Sequence, residues 1–146
     1  MSLRDWLDNK WVRPHVTSKK EITNLFAIVD RDLKDARGSI SSDWRFGIAY
    51  NAALKLCTIL LYSEGYRPEG ALQHYRIIQS MPLILGEERR KDADYLDACR
   101  SSRNRVEYDY VGGVSEEDAN ELIEFVESLR EDVLNWLRKR HPEYVD

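Results

Sequence analysis

The chain has 146 residues, of which 42% are hydrophobic and 33% charged, and its formal net charge is −4. These values are typical of one globular domain and exclude a disordered chain. The acidic balance argues against a protein that neutralises duplex DNA phosphates over a large surface, although it allows a local basic pocket. Cys57 and Cys99 lie in apolar helical patterns, which indicates buried thiols in a reducing compartment.

The hydropathy pattern does not predict a membrane protein. The most apolar stretch, residues 48–62, is shorter than the ~20 residues that span a bilayer, and Asn51, Lys55 and Thr58 interrupt it. The first residues lack an apolar signal core. We therefore expect a soluble, cytoplasmic protein that makes no membrane contact.

Helical periodicity predicts five helices, of which the first two have clear boundaries. The first begins after the N-cap Ser18, which forms a capping box with Glu21, and it ends at Gly38. The second begins after Ser41-Ser42-Asp43 and continues to about Ser63. Its circumference is mostly apolar, which is typical of a central, well-covered helix.

The boundaries of the remaining three predicted helices are less clearly defined. The third covers about 71–81, and Pro82 ends or kinks it. The fourth covers about 87–110. The fifth begins after the N-cap Ser115 and ends before Pro142. The sequence shows no strand-like alternation of useful length.

Short connections between amphipathic helices favour antiparallel neighbours. We therefore predict an all-α fold, an up-and-down helical bundle over residues 18–140. Residues 1–17 are expected to form a short N-terminal arm and residues 141–146 a C-terminal tail. Trp6 and Trp11 in the arm either pack onto the bundle or cover a groove, and packing is the favoured interpretation.

The fourth predicted helix carries an arginine in its apolar stripe. Arg103 occupies a position where helical spacing predicts a core residue. The other members of the stripe are Leu96, Cys99, Val106 and Tyr110. Because burying an unpaired guanidinium is costly, Arg103 must either pair with a carboxylate, such as Glu107, or open onto a water-filled cleft.

Polar side chains surround this arginine in the sequence. Arg100 precedes it by one turn, Asn104 and Tyr108 share an adjacent face, and Tyr110 shares its own face. A fixed cation can bind a phosphate, while an amide and two phenols can hydrogen-bond a ribose or stack on a base. The cluster therefore predicts a site for RNA or a nucleotide.

Residues 103–110, RNRVEYDY, resemble the R-x4-H motif of the HEPN superfamily (higher eukaryotes and prokaryotes nucleotide-binding domains) and its toxin-branch form R-x4-H-x-Y. The likeness extends over about residues 18–138. The aromatic and alanine-rich run at 46–54 is similar to the second helix of the family. Gly65 and His74 resemble its glycine turn and the histidine that follows.

The resemblance implies a five-helix unit built around a four-helix bundle, which forms a homodimer with an RNA- or nucleotide-binding cleft at the interface. Arg103 matches the motif arginine and Asn104 the polar residue after it, while Tyr108 takes the histidine position and Tyr110 the trailing tyrosine. Arg103 and Tyr108 are then the catalytic candidates, and Asn104, Tyr110 and Arg100 the binding candidates. No metal or other cofactor is implied.

Tyr108 is a chemical departure from the motif. A phenol titrates near 10, so it would need a strongly lowered pKa to accept a proton at neutral pH. The implied function is RNA or nucleotide binding, with or without a degenerate, metal-independent ribonuclease or toxin activity. The alternative is a non-catalytic interaction module that partners a minimal nucleotidyltransferase in a two-component toxin–antitoxin system. His74 does not match the motif position and is interpreted as a partly buried, satisfied histidine.

Overall fold

The computed structural model of the chain is a bundle of helices. It describes residues 1–108 and 113–146, and at 105–108 the backbone alone. The described helices are α1 (Leu3–Asp8), α2 (Lys19–Ala36), α3 (Ser42–Ser63), α4 (Gln73–Leu85), α5 (Arg90–Tyr108) and α6 (Glu116–Arg140). Two short strands, β1 (Val12–Pro14) and β2 (Tyr66–Pro68), and two 3-10 turns, Glu87–Arg89 and Pro142–Tyr144, accompany them. The predicted all-α helical bundle is confirmed.

Helix α3 is the centre of the bundle, because α2, α4, α5 and α6 all pack against it. Most of its side chains are buried, among them Leu56, Ile59, Leu60 and Leu61, each fully inaccessible to solvent. Complete burial of one such side chain contributes about 1.5–3 kcal/mol. By length and composition α3 could cross a membrane, but 72% of its most apolar stretch is buried inside the protein, as in the core helix of a soluble protein.

The caps predicted for α2 and α6 differ in how completely they form. Ser18 Oγ accepts a hydrogen bond from the Glu21 amide at 3.1 Å, but the Glu21 carboxylate turns to His15, whose Nε2 lies 2.6 Å away. The box at α2 is therefore half formed. At α6 both bonds are present, since Ser115 Oγ accepts from the Asp118 amide and the Asp118 carboxylate accepts from the Ser115 amide.

The predicted end of the third helix at residue 81 is wrong. Pro82 lies inside α4, and the helix continues to Leu85 because the Gly86 amide still donates to the Pro82 carbonyl at 3.0 Å. Gly86 then ends the helix with a φ of 129°, a conformation that glycine adopts at little cost. At its start α4 follows Leu72, which has a φ of 60° and supplies no side-chain cap.

The N-terminal arm contains the strand that the sequence pattern did not predict. β1 pairs antiparallel with β2, in the register Val12 to Pro68, and a three-residue strand is too short to show alternation. Trp6 is 5% exposed and belongs to the core, and its ring meets that of Trp11 edge-on at 5.8 Å between centroids. The packing interpretation of the arm is confirmed. Arg76 of α4 adds a cation–π contact, with its guanidinium carbon 3.9 Å from the Trp11 ring centroid.

Arg45 joins three helices through a buried guanidinium. The residue is 9% exposed, its Nε donates to the Ala36 carbonyl of α2 at 2.7 Å, and its Nη2 donates to Asn120 Oδ1 of α6 at 2.6 Å. We expect Arg45→Met to lower the free energy of unfolding by about 2–3 kcal/mol, because both acceptors lose a charged donor. Urea denaturation followed by circular dichroism measures the change.

Arg4→Met is the matched control for this prediction. The Arg4 side chain is 78% exposed and its ion pair with Asp8 is 3.9 Å long, so its loss should change the stability by less than about 0.5 kcal/mol. Equal losses in the two variants would show that the Arg45 bridge does not stabilise the bundle.

Candidate functional site

Helix α5 packs against both α3 and α4, and this position places Arg103 at the edge of the core. Arg103 is half-buried, whereas Leu96 and Cys99 of the same stripe are 0% and 5% exposed. Its guanidinium carbon lies 5.4 Å from the centroid of the Tyr50 ring on α3, within cation–π range. The alternative in which Arg103 pairs with Glu107 depends on the Glu107 side chain, which lies outside the described part of the chain.

Tyr50 lies in the core next to the two arginines of α5. The residue is 1% exposed, and burial raises the pKa of its phenol, while the charges of Arg100 and Arg103 oppose that rise. The phenol is therefore neutral at physiological pH. Among the described residues its hydroxyl has no hydrogen-bond partner, although a buried donor without one costs about 1–3 kcal/mol.

Arg100 is the second arginine on this face, one turn before Arg103. Its Nε donates to Asp97 Oδ1 at 2.9 Å, and the side chains of this pair are 28% and 31% exposed. Such a partly exposed pair between residues three apart contributes little to stability.

His74 lies in the first turn of α4 with much of its surface exposed, and no described residue hydrogen-bonds its ring, so its interpretation as a satisfied histidine is wrong. The start of α4 is at the surface, and the buried residues of this helix begin at Ile77. Partial burial of the ring lowers the pKa of His74 below its ordinary value of 6.5, because it disfavours the charged imidazolium. The positive charges of Arg103, Lys55 and Arg100 lower it further. The imidazole is therefore mainly neutral at pH 7.

These interactions define a site on three helices. The charges of Lys55 of α3 and of Arg100 and Arg103 of α5 act on His74 of α4, and we call these four residues the cation cluster. Tyr50 lies against its two arginines. A local concentration of positive charge in a chain whose net charge is −4 can attract an anion.

The other two histidines have a different environment. His15 Nε2 lies 2.6 Å from a Glu21 carboxylate oxygen, and His141 Nε2 lies 3.3 Å from one of Glu64. Within the described part of the chain no hydrogen bond involves His74, and the charges that act on it are all positive. His15 and His141 therefore each contact a carboxylate, whereas the charges that act on His74 are positive.

The structure describes some of the predicted site residues and not others. Arg100 and Arg103 lie on one face of α5 beside Tyr50, and Asn104 is exposed next to them. The Tyr108 side chain and the whole of Tyr110 lie outside the described residues.

Sequence reasoning missed two members of the site. The sequence did carry a signal for Lys55, because this charged residue interrupts the apolar circumference of α3. The place of His74 depends on how α4 packs against α3 and α5, which no local pattern contains.

One cavity among the described residues lies between α5 and α6 and does not involve the cation cluster. Its volume is about 220 Å³, and Tyr95, Cys99 and Ser102 of α5 line it together with Asp118 and Glu121 of α6. Burial raises the pKa of Cys99 to about 11, so its thiol is not a nucleophile at neutral pH. Nor do the described residues bring together three or more His, Cys, Asp or Glu side chains that could hold a metal ion.

Comparison with known proteins gives no relative for this chain: no family model, no curated protein and no solved structure matches it. The function must therefore be argued from the residues and their geometry.

The charge environment of His74 makes a prediction about its titration. We expect Arg103→Ala to raise the pKa of His74, because the variant removes a positive charge that disfavours the imidazolium. Proton–carbon NMR of the histidine rings across pH 4–9 measures the change. His141, which contacts Glu64 instead, is the internal control and should titrate identically in both proteins. An unchanged His74 titration would show that Arg103 does not act on this ring.

Proposed function

We propose that this chain is a cytoplasmic HEPN-like domain that binds a phosphate group of RNA or of a nucleotide at the cation cluster. The observation that carries the proposal is that the charges of Lys55 of α3 and of Arg100 and Arg103 of α5 all act on His74 of α4, while Arg103 lies against the Tyr50 ring at 5.4 Å. Guanidinium groups bind phosphate oxygens through paired, charge-assisted hydrogen bonds, and a lysine adds a further point charge.

The surroundings of the cluster support a nucleotide better than a simple anion. Asn104 is exposed one residue beyond Arg103, where its amide can hydrogen-bond a ribose or a base. The R-x4-H-like stretch at 103–110 points to the same ligand class. Two copies of the domain that met across this face would form the dimer cleft that the resemblance implies.

The alternative, a non-catalytic module that partners a nucleotidyltransferase, depends on Tyr110. This residue lies outside the described part of the chain, so no described contact favours that function. Absence of RNA and nucleotide binding in the test below would favour this alternative.

RNA binding by purified protein tests the proposal directly. Fluorescence anisotropy with a 5′-labelled single-stranded RNA should show an affinity at least ~10-fold weaker for Arg103→Ala than for the unmodified chain, because a phosphate-binding guanidinium is lost. Removing one phosphate contact should also reduce the slope of log affinity against log salt by about one.

Arg138→Ala is the matched control, because it removes the same charge from an exposed position in the last turn of α6. Its affinity should change by less than about twofold. Equal effects of both variants would mean that RNA responds to net charge and not to the cluster. Absence of binding by the unmodified chain to RNA and to nucleotides would overturn the proposal and favour the interaction module.

A further inference from the structure

We propose that the cavity between α5 and α6 is a binding site for a small organic cation, an ammonium group that carries one apolar ring or chain. The cavity is separate from the cation cluster, because none of the four cluster residues lines it. The proposal therefore does not depend on the binding of a phosphate group.

The floor of the cavity is apolar. It is formed by the buried side chains of Phe46 of α3, Cys99 of α5 and Val114, which precedes α6. The volume is about 220 Å³. A cavity of roughly 150 Å³ in another protein encloses a benzene molecule, so this one has room for a ring of that size with a short arm. The floor thus suits the apolar part of a ligand.

The rim of the cavity is acidic. Asp118 and Glu121 are exposed residues of α6, and no basic residue is among the described residues that line the cavity. Asp118 uses one oxygen, Oδ2, to accept a hydrogen bond from the Ser115 amide, and neither carboxylate forms an ion pair within the described part of the chain. Two negative charges at the mouth of a cavity attract a cation and repel an anion.

The two carboxylates are the charged groups of the described lining, because its thiol and its phenol are neutral. Burial raises the pKa of the Cys99 thiol to about 11, and the charges of Glu121 and Asp118 act in the same direction. Burial also raises the pKa of Tyr95, and the neighbouring Cys99 and Glu121 raise it further. The negative charge at the rim is therefore felt at the floor of the cavity.

The N-terminus of α6 does not reverse this charge. A helix N-terminus carries a partial positive charge of about half an elementary unit. The first turn of α6 contains Glu116, Glu117 and Asp118, whose carboxylates outweigh it. The surroundings of the cavity therefore remain negative.

The lining also supplies groups that contact an ammonium ion directly. The carboxylates of Asp118 and Glu121 accept charge-assisted hydrogen bonds. The Tyr95 ring packs against the Phe125 ring with 5.0 Å between their centroids, which holds an aromatic face for a cation–π contact. The Ser102 hydroxyl adds a neutral acceptor. A neutral ligand would leave the carboxylates without a positive partner.

Titration with 2-phenylethylammonium chloride, followed by methyl NMR of the protein, tests the proposal. The probe joins a benzene ring to an ammonium group. We expect saturable shifts at the methyl groups of Ala98 and Val114, which line the cavity, and none at Ala36, which is buried in α2. The uncharged analogue 2-phenylethanol should bind at least ~10-fold more weakly, because hydrogen bonds to a charged group are the stronger ones.

A pair of variants tests the carboxylate. Glu121→Gln should lower the affinity for the probe at least ~5-fold, because it removes one negative charge from the rim. Glu124→Gln is the matched control, since it removes the same charge from an exposed residue of α6 that does not line the cavity, and its affinity should change by less than about twofold. Both positions are exposed, so both variants should fold, and circular dichroism verifies this.

Three outcomes would overturn the proposal. The first is the absence of saturable shifts at Ala98 and Val114 with the probe at millimolar concentration. The second is equal affinity for the ammonium and the alcohol, since the carboxylates would then contribute nothing. The third is an equal loss in Glu121→Gln and Glu124→Gln, which would mean that the probe responds to the net charge of the chain and not to the cavity.

Discussion

Covering α3 on all sides is the constraint on which the rest of the structure depends. The helix is apolar around most of its circumference, and α2, α4, α5 and α6 are all required to keep it from water. Because α4 and α5 take neighbouring positions on α3, the start of one and the second half of the other come together beside Tyr50 and Lys55. The packing of the helices on α3 therefore determines where the candidate site lies. Its polar residues lie at the edge of that core, where helices meet solvent.

The cation cluster is an unfavourable arrangement for the empty protein. Burial of the His74 ring lowers its pKa, and the positive charges of Arg103, Lys55 and Arg100 lower it further, because each of them disfavours the imidazolium. The Tyr50 hydroxyl, which has no hydrogen-bond partner among the described residues, adds a second cost at the same place. Residues that destabilise a fold locally are common where a ligand relieves the cost, and an anion would relieve the repulsion here.

Much of the fold could be predicted from the sequence, because local signals determine helix ends. Ser18 and Ser115 cap α2 and α6 at the expected positions, whereas α3 begins two residues earlier than predicted, at Ser42, with Ser41 as its cap. Pro82 was misleading because a helix can continue past a proline, and the strands were missed because each has three residues. For the candidate site, the stripe around Arg103 indicated the face of α5 that contacts Tyr50. The inclusion of His74 depended on the packing of separate helices, which a single sequence pattern cannot report.

The pairing of β1 with β2 has a consequence for how the chain folds. The two strands are separated by the whole of α2 and α3, so their register can be established only after those helices have docked. The hydrogen bond from the His15 amide to the Gly65 carbonyl extends the same contact. We therefore expect the arm to dock late in folding, onto a bundle that has already formed. In the native protein its amides should exchange with solvent through local opening, well before those of α3.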